Sequence, residues 1–143
     1  MIDEVVNDHL QRIVKYRNEL EAISEKKESE FINNRLLIAA SERLFQLAIE
    51  SCINIAAKIL SIEQFSKPVN PPETYADIFR ELGNLGIVTK SLSEQLIAMA
   101  KFRNRLVHIY WEVDAKELYK YLTENLKDFQ IFIDQIVRYY NSK

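Results

Sequence analysis

Cysteine, glycine, histidine and proline are all scarce in these 143 residues, with one, two, two and three copies. Each shortage excludes something. One cysteine, Cys52, cannot make an intrachain disulfide, so a reducing cytoplasm is the expected compartment. Cys52 lies in the apolar run Ala48–Ile53 and reads as a buried structural thiol. The two histidines, His9 and His108, have no Cys or His cluster at ligand spacing, so no metal site and no cofactor are expected. Gly83 and Gly86 share one short turn, which leaves no glycine-rich phosphate loop. No uninterrupted apolar run reaches the ~18 residues of a membrane span, and Met1–Leu10 lacks the apolar centre of a signal peptide.

What is present is charge, and it is unevenly placed. The net charge is −2, against the basic surplus common among nucleic-acid binders. Glu19–Glu30 holds five acids against two bases. Lys101, Arg103 and Arg105 then fall together with no acid before Glu112. A small basic site on an acidic body suits a focused anion contact better than broad duplex binding.

With so few breakers, helices are the natural reading. The length predicts one domain spanning 1–143. Val6, Leu10, Ile13, Leu20 and Ile23 predict a first helix over about Ile2–Ile23. Glu25–Glu30 is a charged break with Ser29 as a candidate N-cap. A long second helix follows over about Glu30–Leu60, its stripe running Leu36, Leu37, Ala40, Leu44, Leu47, Ser51, Ile55 and Ile59. After a loop with Pro68, Pro71 and Pro72, a third helix is predicted over Glu73–Leu85, stopped by Gly86. A fourth begins near Thr89 or Ser91 and ends between His108 and Glu112. A fifth runs from Asp114, a plausible N-cap, to Tyr140, with Leu118, Leu122, Leu126, Phe129, Phe132, Ile133 and Ile136 on its apolar side. The sum is an all-α, up-and-down bundle of about five helices. Aromatics near Tyr139 and Tyr140, read as exposed, and small residues along the second helix point to a homodimer interface.

The chemistry concentrates in Lys101–Tyr110, where Arg103, His108 and Tyr110 make the pattern Arg-x4-His-x-Tyr. On a helical wheel, Leu92, Leu96, Met99, Leu106 and Val107 form an apolar stripe that includes Arg103 and Tyr110. Lys101, Asn104 and His108 share a polar face with Arg105 at its edge, and Arg103 and His108 stand roughly 140° apart. A charge inside an apolar stripe needs a partner or a ligand, and Glu42 and Glu50 on the second helix are candidate partners. Histidine moves protons near neutral pH, and arginine presents a permanent fork to phosphate. Cleaving RNA without a metal takes a base, an acid and a cation for the charged phosphorane. One histidine serves both proton transfers poorly. Two chains facing one cleft supply two, and they relieve the angular separation as well.

At this point the chain resembles a known family. Arg103–Tyr110 fits the signature of HepT-like proteins of the HEPN superfamily. Glu42–Glu50, Pro72–Phe79 and Leu82–Val88 resemble that family's long-helix and middle segments, so the likeness spans about Glu42–Phe129. The resemblance implies a homodimeric all-α bundle with the motif at the dimer cleft. It implies a metal-independent endoribonuclease acting as the toxin of a type VII HEPN/MNT toxin–antitoxin system. It also implies a nucleotidyltransferase antitoxin of the MNT type, which neutralises the toxin by AMPylation of the motif tyrosine, here Tyr110. Carried over, Arg103 steadies the phosphate, His108 handles protons and Asn104 supports His108, while Lys101 and Arg105 are candidate RNA or phosphate contacts. The alternative is a non-catalytic HEPN module that binds a nucleotide or the nucleotidyltransferase partner.

Overall fold

The computed structural model describes residues 2–108 and 113–143. Among these, seven α-helices follow one another and no strand occurs: α1 (Glu4–Ser24), α2 (Glu28–Ile32), α3 (Arg35–Glu63), α4 (Tyr75–Asn84), α5 (Lys90–Val107), α6 (Ala115–Glu124) and α7 (Lys127–Asn141). The all-α expectation holds. The helix number differs because two predicted helices are each broken by asparagine.

The first break falls at Asn33 and Asn34. Asn33 Nδ2 donates to Ser29 O at 2.8 Å, closing α2, and Asn34 Oδ1 accepts from Leu37 N at 3.1 Å, opening α3. Ser29 lies within α2 and caps nothing. The second break falls at Asn125, whose φ of −113° and ψ of −4° end α6. Its Nδ2 donates to Asp128 Oδ2 at 3.3 Å in the first turn of α7. Asparagine supports such breaks because its amide substitutes for backbone hydrogen bonds. The apolar period runs through both breaks, which hides them in the sequence.

The helix starts follow local rules. Asp3, Thr89 and Asp114 each accept a hydrogen bond from the first turn they precede. Thr74 and Asp77 form a reciprocal capping box at α4. Gly86, at φ +74°, follows α4 as the left-handed residue that the sequence suggested. Gly83 permits the α4–α5 crossing, since a Cβ there would stand 2.6 Å from Ser93 Oγ.

The centre is α3, which packs against α1, α4, α5 and α6. It is long and apolar enough to cross a membrane by length and composition, yet here its side chains build the core. The buried stripe is Ser41, Phe45, Ala48, Ile49, Cys52, Ile55, Ala56 and Ile59. That corrects the first half of the predicted stripe: Leu36 and Ala40 are exposed, and Leu37, Leu44 and Leu47 are only half-buried. Around Phe45 the aromatics interlock, with Phe102 edge-on at 5.7 Å and Tyr121 stacked on Phe102 at 4.0 Å.

The aromatic pair near the end of α7 is also corrected. Tyr140 is buried and Tyr139 half-buried, its hydroxyl donating to Glu63. Glu63 is itself buried and receives Lys143 Nζ at 2.6 Å and Lys67 Nζ at 3.4 Å. Those donors hold its carboxyl down at about 2. Cys52 is fully buried, and burial pushes its thiol pKa up, leaving a core side chain rather than a nucleophile.

Candidate functional site

Arg103 lies near the end of α5, where Phe102 anchors the helix in the core. The sequence reading left Phe102 out of the apolar stripe and put Val107 in it; Phe102 is buried and Val107 exposed. Arg103 sits one step from that buried face, with its side chain 18% exposed. Glu50, across on α3, is the partner. Arg103 Nε and an Nη each donate to one Glu50 oxygen, at 2.9 and 2.6 Å. Gln46 Nε2 steadies the same oxygen at 3.1 Å. Glu42, the other candidate, makes no ion pair with Arg103 among the described residues; burial raises its carboxyl pKa.

A further contact was not foreseen. The guanidinium lies over the Tyr75 ring, 5.0 Å from its centroid, as a cation–π pair. Tyr75 opens α4 just after the Thr74 cap. No periodicity relates it to Arg103, because the two meet only through tertiary packing. Glu50, Ile53, Asn54, Tyr75 and Arg103 line a shallow pocket of about 240 Å³.

Asn104, the expected support for His108, accepts from the remaining Arg103 Nη at 3.3 Å. His108 is the C-cap of α5, exposed, with an extended backbone at φ −88° and ψ 117°. The helix therefore stops at Val107, just short of the predicted range. The helical wheel does not apply to His108, and the 140° separation is no longer its geometry. Tyr110 lies outside the described residues.

Lys101 is exposed on the outer side of α5. Arg105 is engaged: its two Nη atoms reach the two Glu117 oxygens at 2.5 and 2.9 Å. That bidentate pair lowers the Glu117 carboxyl pKa and raises that of Arg105. It ties the last turn of α5 to the first turn of α6, on either side of the segment that follows His108.

His9 stands elsewhere, its Nδ1 3.4 Å from Ser51 Oγ; burial, then Arg12, lowers its pKa. Among the described residues no three His, Cys, Asp or Glu side chains gather as a metal site.

Comparison with known proteins agrees with this frame. The family model described as Ribonuclease HepT-like matches residues 4–136. A tRNA nuclease HepT from Aphanizomenon flos-aquae is 27% identical over 135 residues, covering 94% of this chain and 89% of the relative. An mRNA nuclease HepT from Shewanella oneidensis is 33% identical over 91 residues, 64% of this chain and 65% of the relative. The solved tri-AMPylated Shewanella oneidensis HEPN toxin, in complex with its MNT antitoxin, superposes with a TM-score of 0.86 at 25% identity. That match covers 96% of this chain and 99% of the toxin.

Proposed function

The chain belongs to the HepT-like ribonuclease family, and on that premise we propose that it is the toxin of a HEPN/MNT toxin–antitoxin pair, cutting RNA at a site built from Arg103 and His108. The observation that carries the site is Arg103 held by Glu50 and Tyr75 at the mouth of a pocket, five positions before an exposed His108.

The mechanism follows from the side chains. An imidazole takes the proton from the ribose 2′-OH, and that oxygen attacks the adjacent phosphorus. The second histidine, held as the imidazolium, protonates the departing 5′-oxygen, leaving a 2′,3′-cyclic phosphate. Arg103 places its permanent charge against the phosphorane, where negative charge builds. Each chain brings one His108, so the reading calls for a homodimer that faces two sites into one cleft. Metal ions have no assigned role in these steps.

The nucleotidyltransferase partner is the proposed off-switch, working in the cytoplasm where toxin and RNA meet. The AMPylated state of the Shewanella toxin supports this. An AMP on Tyr110, two residues past His108, adds a phosphate that competes with the substrate's for Arg103.

A non-catalytic partner-binding module is the rival, and one observation favours it: Glu50 already neutralises Arg103. Expression of His108→Ala and Arg103→Ala separates the two. The RNase reading expects both to lose RNA cleavage and growth arrest by at least about 100-fold, the scale of a lost acid–base group, with the helical fold kept and with wild-type cleavage insensitive to chelator. Full cleavage by folded His108→Ala protein removes the mechanism. A wild-type protein that is harmless alone, yet binds its nucleotidyltransferase, transfers the case to the module.

A further inference from the structure

We propose that the pocket between Glu50, Asn54, Tyr75 and Arg103 is a nucleobase subsite, with Tyr75 as the stacking platform for an unpaired RNA base next to the phosphate under attack. The proposal rests on the RNA-directed reading of Arg103.

Tyr75 is 40% exposed, so part of the residue is open to a ligand from solvent. The ring is fixed rather than loose. It follows the Thr74–Asp77 capping box at the first position of α4, and the Arg103 guanidinium rests on it at 5.0 Å. A base stacked on the exposed ring extends that arrangement, because every base has a π-face and stacking is indifferent to its identity.

The charges in the pocket favour a base over a phosphate. Glu50 repels an anion from the interior and already occupies two of the Arg103 donors. A neutral, planar, polar group meets no such penalty. Asn54 stands one helical turn beyond Glu50 on α3, exposed, and its amide makes no hydrogen bond among the described residues. It offers one donor pair and one acceptor to a base edge. Ile53 is buried and gives the pocket an apolar floor. The phosphate then stays at the rim, on the side of Arg103 nearest Asn104 and the end of α5. Base and phosphate of neighbouring nucleotides are joined by a single sugar, and the ring and the guanidinium are likewise in direct contact.

Binding of short fluorescent single-stranded oligoribonucleotides, beside abasic ribose-phosphate oligomers of equal length, tests this without turnover. His108→Ala protein is the background, so the RNA stays intact. With Tyr75 present, the base-bearing oligomer is expected to bind roughly 10- to 100-fold tighter than the abasic one, the measure of a base stack. Tyr75→Phe keeps that ratio, and Tyr75→Ala brings it close to one by weakening the base-bearing oligomer far more than the abasic one. A ratio near one in the Tyr75 background overturns the subsite. So does a ratio that survives Tyr75→Ala. An equal loss of both oligomers in Tyr75→Ala does so too, because it marks Tyr75 as a mere support for Arg103. Failure of the cleavage reading shows separately, as absence of turnover in the parent protein.

Discussion

Two acids on α3 show how one residue type takes two roles. Glu50 is partly exposed and holds Arg103 at the pocket. Glu63 is buried at the C-terminal end of α3 and gathers Tyr139, Lys143 and Lys67, so it serves the fold. Its folded carboxyl lies at about 2, below the ordinary carboxylate value of 4.5. A depressed carboxyl stabilises the folded state above its unfolded pKa, and that stability drains as pH falls from about 5 towards 2. Glu63→Gln is therefore expected to cost about 2 kcal/mol in urea unfolding at pH 7, the scale of hydrogen bonds to a charged group. The gap to wild type narrows by pH 3. An equal gap at both pH values means the carboxylate charge is not what Glu63 contributes. RNA cleavage at neutral pH is expected to survive, since Glu63 does not line the Arg103 pocket.

At the scale of elements, the junction of α5 and α6 decides what Arg105 is for. Its basic neighbours suggested an RNA contact, but the structure spends both of its Nη atoms on Glu117. Both side chains are about one-third exposed, so the pair adds little to global stability, under about 1 kcal/mol. Its effect is local: it braces the chain on either side of the segment after His108. Arg105→Glu and Glu117→Arg are each expected to lower cleavage about threefold or more, and the double swap to restore it, as coupled neighbours do. If the swap stays as slow as Arg105→Glu alone, Arg105 touches RNA and the brace is the wrong account. The same junction shows where the sequence was legible. Caps such as Asp114 and Thr89 act within one turn and are readable one residue at a time. The breaks at Asn34 and Asn125 fall inside apolar periods that continue on both sides, so periodicity bridges them. For the site, Glu50 was one of two acids on a plausible face, and only packing chose between them. Tyr75 had no signal at all, because a cation–π contact between α4 and α5 leaves no spacing along the chain.

For the whole molecule, the proposed mechanism asks how the one motif histidine of each chain, His108, is joined by a second. The outward side of α3 supplies an answer. Leu36 is 82% exposed, Ala39 and Ala40 are exposed beside it, and Leu47 is half-buried further along. At ~100° per residue, Leu36, Ala40, Arg43, Leu47, Glu50 and Asn54 fall on one face. The apolar residues of that face, interrupted by the exposed Arg43, lead toward the wall of the Arg103 pocket. This also explains why the predicted stripe began on the wrong side: the first half of α3 is apolar on two faces, and one of them is left bare. Two copies packed along that strip would bring both Arg103 pockets to the edges of a shared cleft. Leu36→Glu is the direct probe. Leu36 makes little of the core, so monomer stability is expected to move by no more than about 0.5 kcal/mol. A charge at the most exposed apolar position of that strip should shift the protein from dimer to monomer in sedimentation at micromolar concentration. Cleavage should fall with it and recover as protein concentration is raised. A Leu36→Glu protein that remains dimeric puts the interface elsewhere, and one that turns monomeric with full activity removes the need for two histidines in one cleft.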